Sequence, residues 1–466
     1  VDNGKLTPFD YQKEVVQDIE DFEGRSLVSV EQGLGKTAIA LWTLKRQKIE
    51  SFPAVVICPS AVKYMWEHEA IRMGIRPTVL EGTKPEKVGR KSNAPRLTIL
   101  NQDILYAWLP VLLKQGTKTV IIDECQNFAS RSSRRTKAVL KLGRSCRHVI
   151  ALSGTPLVNR PAELWPTLHM IRPDLYPSFW QFAQRFCKPR RTPWGWDFSG
   201  ASNLDVLHST LNRQCMVRRL KKDVLKDLPE KMRCVVPVEI SDRKEYEKAR
   251  DDFAGWLKSV QPDRVQSALR AQQMTQIGYL LRLTAKLKLR SVVEWCNNFL
   301  EGSDEKLVVF GVHTKMIEAL DRRLNGGKHV IIDGSVTGRL RKAACDQFQR
   351  DPKTRVLIGN IKAAGVGLTL TAASTVAFAE LFWTPGAMTQ AEDRCHRIGT
   401  TQTVWAYYLV AAGTIEERLC KAIQTKQEVI RATLDGGKME DDLSILDQLL
   451  AELAGPGLLG AKDRTA

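Results

Sequence analysis

Apolar and polar positions along the 466-residue chain fall into two stretches with a strand-and-helix rhythm, separated by one without it. Near-continuous aliphatic runs at 26–30 (SLVSV), 54–58 (AVVIC) and 119–122 (TVII) predict buried parallel strands, because a strand covered on both faces loses its polar alternation. Helical periodicity at 37–48 and 62–72 follows the first two runs, and a fourth strand at 148–152 ends in SGTP and precedes a helix at 162–171. Strand and helix in alternation imply a doubly wound parallel sheet with right-handed crossovers. From 172 to about 290 the strand rhythm disappears: 172–202 is rich in Pro, Trp and Phe, and 242–290 reads as long helices. The rhythm returns with strands at 306–310, 330–333, 355–359, 375–379 and 404–409 and helices at 315–324, 338–350 and 415–434. The expected fold class is therefore α/β, with two doubly wound parallel-sheet lobes at 1–171 and 291–435 and a helical insertion and linker at 172–290. The remaining 436–466 reads as a weak acidic, Leu-rich helix and a frayed end. The lobes are not an evident sequence repeat, so any kinship between them is architectural.

Charge narrows the partners. Lys plus Arg number 70 against 52 Asp plus Glu, a net +18, which points to a polyanion. With 43% apolar and 26% charged residues the chain is neither wholly disordered nor fibrous, and no apolar run approaches the roughly 18 residues of a membrane helix. The ten cysteines form no C-x-x-C pair and show no zinc-ligand spacing, so we expect reduced thiols in the core, without disulfides or structural zinc. The opening shows no signal-peptide pattern, which predicts a protein that is not secreted: cytoplasmic or nucleoid-associated in a bacterium or phage, nuclear in a eukaryote. Residues 185–233 hold twelve Lys/Arg against five acids, and 264–290 hold six with no acid. Phosphate contacts confer affinity without sequence information, which suits a protein that must grip any sequence. Trp180, Phe186, Trp194, Trp196 and Phe198 interleave the first basic stretch. They either stack on unpaired bases or form a small core under a protrusion, and packing ranks first because Trp and Phe near Pro and Gly usually pack.

The chemistry lies at strand ends. The segment 29–37, SVEQGLGKT, directly follows a strand and opens a helix. Gly33 and Gly35 let backbone N–H groups turn onto an anion at a helix N-terminus, Lys36 reaches the β- and γ-phosphates, and Thr37 offers its hydroxyl to Mg²⁺. Val30 stands where the usual first glycine of the loop would be. The run at 119–122 ends in Asp123-Glu124-Cys125-Gln126: an aspartate there can hold Mg²⁺, and the adjacent glutamate can polarise the attacking water. In QAEDRCHRIG (390–399), a helix would put Gln390, Arg394 and Arg397 on one face, where the arginines could clamp a γ-phosphate. The competing reading is a salt-bridged surface face with Glu392 and Asp393.

In order, the chain carries PFDYQ (8–12), EQGLGKT (31–37), VVICPSAVKYMWEHE (55–69), DECQ (123–126) and LSGTPLVNRPAELW (152–165). It continues with VVFGVHTKMIEAL (308–320), DGSVTGRLRKAACDQFQ (333–349), KAAGVGLTLTAAS (362–374) and QAEDRCHRIG (390–399). This set resembles a superfamily-two helicase core of the Swi/Snf type over nearly the whole chain to about Leu434. It is most similar to the annealing-helicase branch of replication-fork remodellers through WGWDFSGASNL (194–204), MVRRLKKDVLKDLPEK (216–231) and FAELFWTPG (378–386).

The resemblance implies two RecA-like lobes and a DNA-dependent ATPase using ATP and Mg²⁺. Such an enzyme would translocate on double-stranded or forked DNA, remodelling or re-annealing it without strong strand separation, and would be a monomer before DNA is bound. It also implies that Gln12 reads the adenine edge with Tyr11 or Phe9 nearby, that Gln390 and Gly367 face the nucleotide, and that Gly365 and Gly367 let the backbone approach DNA. Ser153, Thr155 and Gln126 would couple hydrolysis to lobe movement, and Ser60, Lys63, His313, Lys315, Lys362 and Trp383 would contact DNA. Gln126 departs from the usual His, which bears on coupling, and Thr400 replaces the usual Gln. An RNA helicase, a nucleosome remodeller and a DNA-binding scaffold with a dead ATPase are the alternatives. The SGTP block, the absence of a chromatin-reading extension and the intact Lys, Asp, Glu and Arg set disfavour them in turn.

Overall fold

The computed structural model describes residues 7–46, 48–85, 97–154, 156, 160–192, 195–198, 200–259, 266–325, 327–336, 338–364, 368–434 and 449. Thr155, Trp194, Gly365, Gly367 and, but for one residue, the segment 436–466 lie outside that set. The chain divides at Leu228/Pro229 into two compact units, each built on its own parallel sheet.

In the first unit, strands β1 (Arg25–Val30), β2 (Ala54–Cys58), β3 (Pro77–Val79), β4 (Leu97–Asn101), β5 (Thr119–Asp123), β6 (His148–Leu152) and β9 (Met216–Arg219) stand in the order β3-β4-β2-β5-β6-β1-β9. Every pairing is parallel. Strands β7 (Arg190–Thr192) and β8 (Gly195–Asp197) make a separate antiparallel hairpin. The phosphate loop and acidic box therefore leave β1 and β5 at the carboxyl edge, where an open α/β sheet binds ligands.

The second unit orders β10 (Lys231–Val238), β11 (Leu307–Gly311), β12 (Lys328–Ile332), β13 (Thr354–Asn360), β14 (Thr375–Phe378) and β15 (Val404–Ala411) as β10-β15-β14-β11-β13-β12, again all parallel. Side chains alternate across this sheet. Val308 and Phe310 enter one core and Leu307 and Val309 the other, so both faces are covered.

The span 172–290 is not a separate insertion. Tyr176, Phe182, Phe186, Leu204, Leu207 and Leu211 complete the core of the first unit, and β9 extends its sheet beyond β1. Helices Arg243–Ser259 and Gln266–Gly302 bury Tyr246, Phe253, Ile277, Leu280 and Leu287 in the core of the second unit, whose edge strand is β10. The basic runs are partly consumed inside the fold. Of the cations in 264–290, Lys288 is fully buried on Glu416 at 2.6 Å and Lys286 pairs with Glu245 at 3.1 Å, while Arg282 and Arg290 are exposed. Nine of the ten cysteines are buried and all are free thiols. No described helix is long and apolar enough to cross a membrane.

Candidate active site

Gly33 and Gly35 hold φ of +88° and +78°, left-handed values that the loop between β1 and helix Lys36–Arg46 needs to turn its amides inward. Lys36 is buried, and its Nζ donates to Val30 O at 3.1 Å and Gln32 Oε1 at 3.2 Å. The other end of Gln32, its Nε2, is buried without a partner among the described residues. A Cβ at Gly154 of the SGT motif would lie 2.7 Å from that Nε2, so glycine there makes room for the Gln32 amide. Gln32 therefore spans phosphate loop and SGT motif, a role the sequence did not reveal. Gln12 docks on the same loop: Tyr11 OH and Gln12 Nε2 both donate to Leu34 O, at 2.9 and 3.3 Å, while Gln12 Oε1 accepts from Phe9 N. Phe9 is half exposed and stacks on Tyr11, leaving a ring surface beside Gln12.

At the end of β5, Glu124 adopts φ +52° and donates its N–H to Asp123 Oδ1 at 3.0 Å. The buried Trp66 donates its indole N–H to Asp123 Oδ2 at 2.9 Å, a contact the sequence also did not reveal. Burial, and then the neighbouring Glu124 carboxylate, push Asp123 up to about 6, against the Trp66 bond and Lys36, which lower it. Gln126 stands between two functional groups. Its Nε2 donates to Glu124 Oε2 at 2.6 Å, and its Oε1 accepts from Ser153 Oγ at 2.7 Å. A histidine would offer one donor and one acceptor, and the Gln126 amide supplies the same pair. The left-handed glycines, the buried Lys36 cation, the orphaned Gln32 donor and the Asp123–Glu124 pair fit a magnesium-bound nucleoside triphosphate.

One consequence is measurable. The acidic inflection of ATPase activity should move to higher pH in Trp66→Phe, by about one unit, because a hydrogen bond that favours ionised Asp123 is lost. The nucleotide titrates identically in both enzymes, so the difference belongs to the protein. Superimposable pH profiles would remove the Trp66–Asp123 bond from the function.

In the second unit the helix Pro385–Glu392 stops before the arginines, so Gln390, Arg394 and Arg397 do not share a helical face. The arginines still converge. Arg394 Nη1 and Arg397 Nη1 donate to Leu368 O at 3.4 and 2.8 Å, Arg397 adds Thr369 Oγ1 at 3.0 Å, and Arg394 Nε caps Gln390 O. Glu392 and Asp393 do not form the salt-bridged surface face of the competing reading. They turn inward to Lys231 and Arg233 of β10, with Arg233 bidentate on Glu392 at 2.8 and 2.7 Å and Lys231 on Asp393 at 2.8 Å. Burial would raise Glu392, but Lys231 and Arg233 more than offset it and hold it down to about 2.

The DNA candidates divide. Lys63 is buried, its ammonium on Leu80 O at 3.2 Å and Glu81 at 3.3 Å, so it does not present its charge to a phosphate. Ser60 is exposed. In the second unit His313, Lys315, Lys362 and Trp383 follow the neighbouring strands β11, β13 and β14 at their carboxyl ends. Glu380, buried, ties that edge: its carboxylate accepts from the N–H of Val312 and His313 and meets His313 Nδ1 at 2.5 Å. Asn360 adds a bond to Val312 O at 2.7 Å, and Lys362 lies 5.1 Å from the Phe382 ring centre.

Comparison with known proteins divides the chain at a later point than the Leu228/Pro229 boundary. Residues 11–291 match the family model of the SNF2-related domain, and 288–399 match the helicase conserved C-terminal domain. The chain is 36% identical over 439 residues to the SWI/SNF-related matrix-associated actin-dependent regulator of chromatin subfamily A-like protein 1 of Xenopus tropicalis, covering 91% of this chain and 44% of that protein. It is 34% identical over 446 residues to the human DNA annealing helicase and endonuclease ZRANB3, covering 93% of this chain and 41% of that one. The chain thus spans less than half the length of these relatives. A solved Sulfolobus solfataricus SWI2/SNF2 ATPase core in complex with dsDNA aligns with a TM-score of 0.43 and 20% identity, over 93% of this chain and 94% of that one.

Proposed function

The chain belongs to the SNF2-related family, and on that premise we propose that it is a DNA-dependent ATPase that translocates on double-stranded or forked DNA. It remodels or re-anneals that DNA without strong strand separation. The observation that carries this reading is the hydrogen-bonded series Asp123, Glu124, Gln126 and Ser153 at the carboxyl edge of the same sheet whose β1 leads into the loop of Lys36.

In this reading Lys36 leaves Val30 O and Gln32 for the β- and γ-phosphates, and Gln32 Nε2 gains an acceptor there. Thr37 and Asp123 would hold Mg²⁺, which would supply charge that neutralises the phosphates. Glu124, its carboxylate aimed by Gln126, orients and polarises the attacking water. Arg394 and Arg397 stabilise charge on the transferring phosphoryl group in a closed state, and Gln12 with Phe9 and Tyr11 receives the adenine. His313, Lys315, Lys362 and Trp383 grip DNA, and Ser153 passes the state of the acidic box to the segment that follows it.

ATP hydrolysis measured with duplex DNA, with RNA and with neither tests the reading. Duplex DNA should stimulate strongly, RNA weakly, and Lys36→Ala should abolish both basal and stimulated rates. Greater stimulation by RNA, or a rate unchanged in Lys36→Ala, overturns it. Re-annealing of a forked substrate should need ATP and stall with a non-hydrolysable analogue.

A further inference from the structure

Nothing above uses the aromatic surface of the first unit. Helix Phe179–Phe186 and the β7–β8 hairpin form an open cleft of about 660 Å³ lined by Arg131, Ser178, Phe179, Trp180, Trp196 and Phe198. Packing accounts for part of this set. Phe179 meets Trp165 and Phe198 edge to face at 5.6 and 4.9 Å, which ties hairpin to helix, and Phe186 is in the core. It does not account for Trp180 and Trp196, which meet edge to face at 4.7 Å yet remain 37% and 50% exposed. The hairpin buries almost nothing of its own, since every described residue of its two strands except Thr192 is exposed. A two-stranded ribbon of that kind is marginal in water. What it accomplishes is to hold Trp196 beside Trp180.

The surroundings are cationic. The Arg131 guanidinium lies 3.2 Å from the Phe179 ring centre, Arg191 stands opposite Trp196 in the hairpin and shares its face, Arg190 stands opposite Asp197 on the other face, and Arg185 and Lys188 are exposed on the adjoining segment. None of the cleft-lining residues is acidic. Indole faces ringed by guanidinium groups, with few hydrogen-bond donors or acceptors to read an edge, match the chemistry of a nucleobase carried on a phosphate backbone. A base within a duplex has both faces covered by its neighbours, so only an unpaired one can enter.

We propose that this cleft binds an unpaired nucleobase of single-stranded DNA, stacked on the exposed indole of Trp196 beside Trp180, with its flanking phosphates on Arg131 and Arg191. The inference rests on the DNA-translocase reading and deepens it, because a forked or gapped substrate offers such a base and a blunt duplex does not.

Binding of the full chain to a fork with a single-stranded arm, compared with a blunt duplex of equal length, tests the proposal. Trp196→Leu keeps an apolar anchor for the hairpin and removes the π face. Affinity for the fork should fall about tenfold, within the range of lost base–aromatic stacking, while affinity for the blunt duplex and its stimulation of ATPase stay unchanged. Trp196→Phe should retain most of the fork affinity. Excitation of 5-iododeoxyuridine placed in the single-stranded arm should crosslink to the 178–198 region. Equal loss on fork and blunt duplex, no loss on either, or crosslinks confined to other segments would overturn the proposal. The wild-type response to blunt duplex reports the translocase reading separately, so the two can fail independently.

Discussion

Arg397→Ala is expected to leave ATP binding within about twofold of the wild type while lowering DNA-stimulated turnover by roughly 10³-fold or more, the range seen for arginine fingers. The structure gives a reason to single out this residue. Its guanidinium is half-buried, that of Arg394 is buried, and both lean on the Leu368 carbonyl. Burial, and then the like charge of Arg394, lower Arg397 to about 10, so it stays charged at neutral pH in a setting that disfavours the charge. A phosphate would relieve that cost for both groups, and it does so most where negative charge builds up during transfer. Arg397→Lys should recover only a small part of the rate, because an ammonium lacks the planar fork. Binding of a fluorescent ATP analogue alongside steady-state turnover with saturating duplex separates the effects. Parallel losses in affinity and turnover would show that Arg397 acts on the ground state or on the fold.

Glu392→Ala should destabilise the protein by about 3–5 kcal/mol, because it strands Lys231 and Arg233 with Asp393 as their remaining carboxylate. For a domain near 200 residues this corresponds to a fall of roughly 10 °C in unfolding temperature. The sign with pH follows from the direction of the shift. Glu392 has a folded value near 2, below the ordinary 4.5, so its contribution is complete above about 4.5 and fades as pH falls toward 2. Calorimetry of wild type and variant should therefore show a gap that is wide at pH 7 and narrows steadily in acid. A gap that is constant, or widest in acid, would mean that the carboxylate charge is not what holds this corner. Arg233→Met with Glu392→Met should be far less damaging than either change alone, since a buried pair replaced together leaves no orphaned charge.

Much of this architecture can be read from the chain, and the reasons for the exceptions are physical. β2, β6 and helices Gly338–Arg350 and Ile415–Leu434 have the predicted bounds, because long apolar runs and steady periodicity leave one solution. β9 and β10 escaped notice because MVRR and KMRCVVPV carry cations that mimic a solvated stretch. Those of β10 instead face Glu392 and Asp393, which only tertiary structure can reveal. For the same reason, basic density includes cations that serve the fold: Lys288, Lys231 and Arg233 all have internal partners. The helix assumed through 390–399 ends at Glu392, yet the arginine convergence survives because Leu368 O gathers both side chains. Motif spacing points to Lys36, Asp123 and Glu124, and the resemblance adds Gln126 and Ser153. Neither reveals Trp66, Gln32 or Glu380, whose roles are orientational and depend on where a fold returns to itself.

Lys36 also bears on how the enzyme resets after each turnover. Because Val30 and Gln32 already offer it oxygen acceptors, departure of ADP does not leave a naked cation facing apolar walls. The nucleotide pocket can thus empty without local collapse, and the rest state is built into the loop. If the proposed translocase reading holds, its turnover should be limited less by product clinging to Lys36 than by the step its DNA takes next.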